Sequence, residues 1–118
     1  MSPDALKTAL ESTSEVEITV TGRRSGRKIS LPVWFALEDD KLYLVPVNGS
    51  DADWYKNVVE NPTIRLETEG AETTAAAVPI TDPAKVTAVV GKFRAKYGAD
   101  DVSRYYNKLD AAVDVSLA

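Results

Sequence analysis

The sequence contains no cysteine and no histidine. Without cysteine there is no disulfide framework, no thiolate nucleophile and no Cys-ligated metal. Without histidine there is no Ser/His/Asp triad, no His-ligated zinc and no ordinary general base of neutral pH, so no metal site is read. Long apolar runs are missing too. Nowhere do about 18 consecutive apolar residues occur, and Met1 to Glu11 shows no basic stretch followed by an apolar one. A cytoplasmic protein without a membrane span is expected. A surplus of positive charge is also absent: 14 Lys and Arg against 18 Asp and Glu leave a net charge of −4, which argues against nonspecific adhesion to nucleic acid or anionic membrane. If the chain is an enzyme, these absences leave the hard chemistry to a bound cofactor, which the protein binds, orients and polarises.

What is present suits one compact unit. The 118 residues, 44% of them hydrophobic, are enough for one core and too few for two, so residues 1–118 are read as a single domain. Ser2 before Pro3 reads as an N-cap and first-turn pair, and Leu6 with Leu10 gives a short amphipathic helix ending near Ser12 and lidding one end of the fold. Residues 15–21 alternate, with Val16, Ile18 and Val20 on one face. Ile29, Leu31, Val33, Phe35 and Leu37 repeat that period on a longer second strand, which forms a hairpin with the first. Residues 42–47 are apolar on both faces, as in a central strand or an interface.

A short helix from Ser50 through Trp54 and Val58 is expected to close at Asn61-Pro62 through a left-handed cap. Strands at 63–69 and 72–80 flank a tight turn at Gly70-Ala71. Asp82, Pro83, the stripe Val86, Val89, Val90, Phe93 and Tyr97, and then Gly98 spell a capped amphipathic helix. A further helix from Asp100 or Asp101 carries Val102, Tyr105, Tyr106 and Leu109, and Ala111, Val113, Val115 and Leu117 alternate as a last strand. Six strands joined by short turns predict an α+β, mainly β chain: a six-stranded antiparallel barrel with packing helices.

Chemistry concentrates in three places. Arg23, Arg24, Ser25, Gly26, Arg27 and Lys28, after Gly22, form a basic turn. Glycines let successive N–H groups face an anion, and arginine offers a planar fork that matches phosphate oxygens. At roughly 1.5 to 3 kcal/mol for each charge-assisted hydrogen bond, two or three arginines would hold a phosphorylated cofactor. The same turn also reads as an exposed hairpin tip with solvated charges. Trp54, Tyr55, Lys56 and Asn57 combine rings with an amide and an ammonium, but Trp54 and Val58 also have ordinary core spacing. Trp34 falls on the strand face opposite Ile29, Leu31, Val33 and Phe35, where it must cover a cofactor, a helix or a partner subunit. Tyr105 and Tyr106, being adjacent, cannot both point at the core. One of them either faces a cavity and offers its hydroxyl to a substrate, or packs at a barrel mouth with its hydroxyl in water.

In order and spacing these segments resemble the deazaflavin-dependent nitroreductase family, a branch of the split-barrel flavin-binding proteins related to pyridoxamine phosphate oxidase. The resemblance runs from about Glu15 to Leu117 and is carried by Thr21 to Arg27, then Leu31-Pro32-Val33-Trp34-Phe35, then Trp54-Tyr55-Lys56-Asn57-Val58 with Asn61-Pro62. It implies an FMN-binding type of split barrel and a cofactor, the deazaflavin coenzyme F-420 or alternatively FMN. Arg23, Arg24, Ser25, Gly26, Arg27 and Lys28 would then hold the phosphate-bearing tail. Trp34, Trp54, Tyr55 and Asn57 would shape the cofactor pocket, and Tyr105 and Tyr106 would place the substrate. Asn48 stands in the segment after the third strand, Val47-Asn48-Gly49-Ser50, where the family often carries a cofactor-binding lysine that this chain lacks. The implied activity is hydride transfer to a small quinone, enone or nitro acceptor. Two other readings use the same residues: a cofactor carrier without turnover, and a homodimer formed through Tyr43, Val45 and Val47 in which the basic turn is only solvated.

Overall fold

The structure, a computed structural model, describes residues 3–117; the predicted cap at Ser2 lies outside them. Helix α1 (Pro3–Glu11) is followed by strands β1 (Val16–Thr21), β2 (Lys28–Val33), β3 (Phe35–Glu38) and β4 (Lys41–Leu44). A 3-10 turn (Gly49–Asp51) leads into α2 (Asp53–Glu60), then β5 (Thr63–Thr68) and β6 (Ala71–Ile80). Helices α3 (Pro83–Tyr97) and α4 (Ala99–Tyr105) precede β7 (Ala112–Ser116).

All pairings are antiparallel, and the sheet order is β2-β1-β5-β6-β7-β4-β3. The long β6 serves both halves, pairing with β5 through Ala76 and with β7 from Ala77 onward. The sheet curls into a half-barrel of seven strands, one more than expected, because the predicted 29–37 strand breaks at Trp34. Its first part pairs with β1 and its second with β4, so two segments adjacent in the chain occupy opposite ends of the sheet. Pro32 has no N–H for a further ladder, which suits an edge position. The side-chain period runs on through the break, so the hydrophobic pattern carries no sign of the change of partner.

One core fills the curl. Ile18, Val20, Phe35, Leu42, Leu44, Leu66 and Val113 point inward, closed by Leu6 and Leu10 of α1 and by Val58 of α2. A second core lies outside it, where Val86, Val89, Val90 and Phe93 of α3 and Val102 of α4 cover Ala36, Val45 and Ala112. Both faces of β4 and its extension are thus buried within the chain. Tyr43 is half-buried on the outer core and Val47 is exposed, whereas Val45, at 4% exposure, offers no dimer surface. Pro46 follows and ends the strand early.

The caps show what local chemistry controls. The Asp82 carboxylate accepts from the Lys85 N–H at 3.2 Å, and Gly98, with φ of 99°, ends α3 as expected. Two other expectations fail. Asn61 has φ of −130° and not a left-handed conformation, and α2 starts after Ala52 with no side-chain cap. The Ser50 hydroxyl instead donates to Asp110 at 2.6 Å, a partner 60 residues away. The hairpin tip between β5 and β6 is Glu69-Gly70, both with positive φ, one residue before the turn expected from sequence.

Candidate functional site

A cavity of about 710 Å³ opens where the exit of β4, the start of α2, the end of α4 and the break at Trp34 meet. Trp34, Asn48, Trp54, Asn57, Tyr105 and Tyr106, read from sequence as site residues, all line it.

Trp34 reaches its place because the chain turns from one half-sheet to the other there. Its ring stacks on Tyr97 at 4.1 Å and 10° and meets Tyr105 edge-on at 5.7 Å, with Tyr106 at 5.9 Å. It therefore covers helices α3 and α4 and forms a cavity wall at once. Tyr105, the last residue of α4, is 52% exposed, whereas Tyr106 is buried against Phe93. Burial, with Tyr97 nearby, raises the Tyr106 phenol pKa well above its ordinary value, so the hydroxyl stays protonated and available as a donor.

Helix α2 presents Trp54 and Asn57 to the cavity and turns Tyr55 into the barrel core. Tyr55 therefore lies outside the cavity wall. Trp54 satisfies both of its sequence readings, belonging to the inner core and lining the cavity. Asn48 accepts from the Asn107 amide at 2.9 Å, and the following Gly49 is wedged against Asp110, where a Cβ would meet Oδ1 at 2.1 Å.

None of the six basic-turn residues lines the cavity. The turn folds on itself: Gly22 N donates to Arg27 O at 2.8 Å, Gly26 N to Gly22 O at 2.9 Å, and Arg27 N to Ser25 Oγ at 3.2 Å. Arg23 N donates to Asn57 Oδ1 at 3.0 Å. Four backbone donors are thereby used, leaving the successive N–H groups of Arg24 and Ser25 as those of the turn without a protein partner among the described residues. Lys28 donates to Thr21, and the Arg23 guanidinium bonds Asn57 Oδ1 at 2.7 Å and Asp53 O at 3.3 Å. Arg24 and Arg27 remain exposed, with no ion pair among the described residues. Since Asp53 and Asn57 both line the cavity, Arg23 pins the turn to its rim.

Sequence reasoning missed Glu15, Ile29, Leu31, Val33, Val47 and Asp53 as cavity residues. Ile29 and Val47 are large apolar side chains left 43% and 41% exposed, a signal visible only once the fold is known. No Lys or Arg lines the cavity; its walls are aromatic and aliphatic, with amide and hydroxyl groups and the carboxylate residues Glu15 and Asp53 between them. Among the described residues no cluster of carboxylates is placed to hold a metal ion.

The model of a family described as an uncharacterized protein conserved in bacteria, DUF2255, matches residues 7–114. The chain belongs to this family. Curated protein sequences contain no match to it. Solved structures similar to this DUF2255 chain include an F420-H2 dependent reductase, FDR-A, at 22% identity and a TM-score of 0.68, covering 87% of this chain and 94% of that one. A second, solved as a domain-swapped dimer, shares 22% identity over 87% of this chain and 80% of its own, with a TM-score of 0.69. The haem storage protein HutZ of Vibrio cholerae reaches a TM-score of 0.71 at 13% identity, over 98% and 90%. These likenesses establish the split-barrel fold for the DUF2255 chain. No helix among the described residues is long and apolar enough to cross a membrane.

Proposed function

We propose that the cavity binds the flat ring of a deazaflavin cofactor, coenzyme F-420, and that the protein is a cytoplasmic oxidoreductase acting on a small quinone, enone or nitro acceptor. The observation that carries this reading is the pairing of a cation-free aromatic cavity with a basic turn pinned to its rim. Trp34 and Trp54 both line the cavity and offer it aromatic surface for a ring, and the free guanidinium groups of Arg24 and Arg27 stand outside for an anionic tail. A cavity of about 710 Å³ is within the usual size of cofactor sites. Asn57 and Tyr106 present hydrogen-bonding groups in its wall, as a heteroaromatic edge requires. The shared fold with an F420-H2 dependent reductase supports the choice.

When bound, a reduced deazaflavin would supply a hydride, and solvent would supply the one proton that completes the acceptor's two-electron reduction. The chain's own part is to hold the acceptor: Tyr106, kept protonated by burial, would donate toward the acceptor's oxygen, with Tyr105 exposed beside it. FMN would use the same walls. Haem, carried by HutZ, fits less well, because the chain has neither histidine nor cysteine, two of the common axial ligands.

Tryptophan fluorescence titrated with coenzyme F-420 and with FMN tests the reading, since Trp34 and Trp54 both line the cavity. Saturable quenching by one of them is expected. Arg24→Ala with Arg27→Ala should weaken binding about tenfold or more, through lost charge-assisted contacts; unchanged affinity would overturn the tail assignment. Oxidation of the reduced cofactor by a quinone or nitro panel separates an enzyme from a carrier. No quenching by either ligand would discard the redox reading.

A further inference from the structure

Asn57 is the one polar side chain buried in the core among the described residues, at 4% exposure. Its oxygen accepts twice from Arg23, from the backbone N–H at 3.0 Å and from the guanidinium at 2.7 Å. Two donors facing one atom fix which end of the amide is oxygen. The amide nitrogen is left with no protein partner among the described residues, yet it is not sealed from the cavity that Asn57 lines. With the oxygen held by Arg23 and the nitrogen open to the cavity, the amide N–H groups are free donors to an acceptor bound there.

Arg23 is the first arginine of the basic turn, where the sequence suggests a contact to the phosphate tail. Its guanidinium is already committed to Asn57 and to Asp53 O, with the Asp53 carboxylate at 3.6 Å. We propose that Arg23 is a positioning residue, not a tail ligand: it locks Asn57 so that the amide nitrogen donates to a carbonyl-type acceptor on the edge of the bound ring. This inference rests on the ring-binding reading above and narrows it to rings that carry such an oxygen.

The test compares ligands that share a ring but differ in the tail: coenzyme F-420 against its deazariboflavin core, and FMN against riboflavin. For the ring that binds, Asn57→Asp should weaken both members of the pair about tenfold, because the donor is replaced by an acceptor. That variant can still accept from Arg23, so it should melt like the wild type. Arg23→Ala should weaken both members equally, by about threefold, since the backbone N–H of residue 23 still holds the amide. Arg24→Ala with Arg27→Ala should weaken only the tailed ligand. The visible band of the bound ring should move in both Asn57→Asp and Arg23→Ala, a change that a purely structural role would not produce. Loss confined to the tailed ligand in Arg23→Ala would overturn the inference, as would unchanged binding in Asn57→Asp. Failure of the wild-type protein to bind any of the four would instead overturn the ring-binding reading, and this inference with it.

Discussion

Lys96 has no carboxylate partner among the described residues; its ammonium sits 3.4 Å from the centre of the Phe35 ring and donates to Phe35 O at 3.0 Å. Desolvation there lowers its pKa from 10.5 to about 8. As pH falls from about 10.5 to about 8 the unfolded chain takes up this proton before the native one, so the Lys96 contribution to stability declines across that window and is flat below it. Above about pH 10 the tyrosines oppose it, because Tyr97 and Tyr106 resist ionisation in the native state more than in the unfolded chain. We expect the Lys96 side chain to titrate near pH 8 by NMR. The rise in wild-type stability between pH 8 and pH 10 should be absent from Lys96→Met. Gly49 gives a second prediction. With φ of 59° and Asp110 Oδ1 2.1 Å from any added Cβ, Gly49→Ala should cost about 1–3 kcal/mol in urea denaturation.

Among the elements, β3 depends most on a neighbour that is not a strand. The Tyr97 hydroxyl of α3 accepts from Phe35 N at 3.1 Å and lies 2.9 Å from Phe35 O and 2.7 Å from Ser14 O, close enough to donate to either. It links the approach to β1 with the start of β3 across the gap in the sheet. Tyr97→Phe leaves the Phe35 N–H without that acceptor and should destabilise the protein by about 1–3 kcal/mol, with faster amide exchange at Phe35 and little change in β5. Helix α3 itself was legible in the sequence, since cap, first-turn proline, stripe and terminal glycine all act within a few residues. The start of α2 was not, because Ser50 is drawn to Asp110 by a contact that no local pattern encodes.

For the molecule as a whole, Trp34 packs on the outer core at the point where the chain crosses from one half-sheet to the other. Trp34→Ala should cost about 3 kcal/mol and should loosen α3 and α4 before the inner barrel, a difference that native-state hydrogen exchange resolves. The sequence disclosed the mainly β character, most of the strands and six of the cavity residues, because period-two alternation and aromatic placement survive in one dimension. It missed the change of sheet partner at Trp34, which leaves the alternation intact. It also missed the anchoring of the basic turn through Arg23 to Asn57, 34 residues further along the chain.

Because β2 and β3 end the sheet on opposite sides and are joined through Trp34 alone, no ladder hydrogen bond spans the gap between them. Widening the cavity mouth therefore means sliding one aromatic stack and straining one tyrosine hydroxyl, while every rung of the sheet stays closed. The barrel has in effect a seam stitched at a single residue.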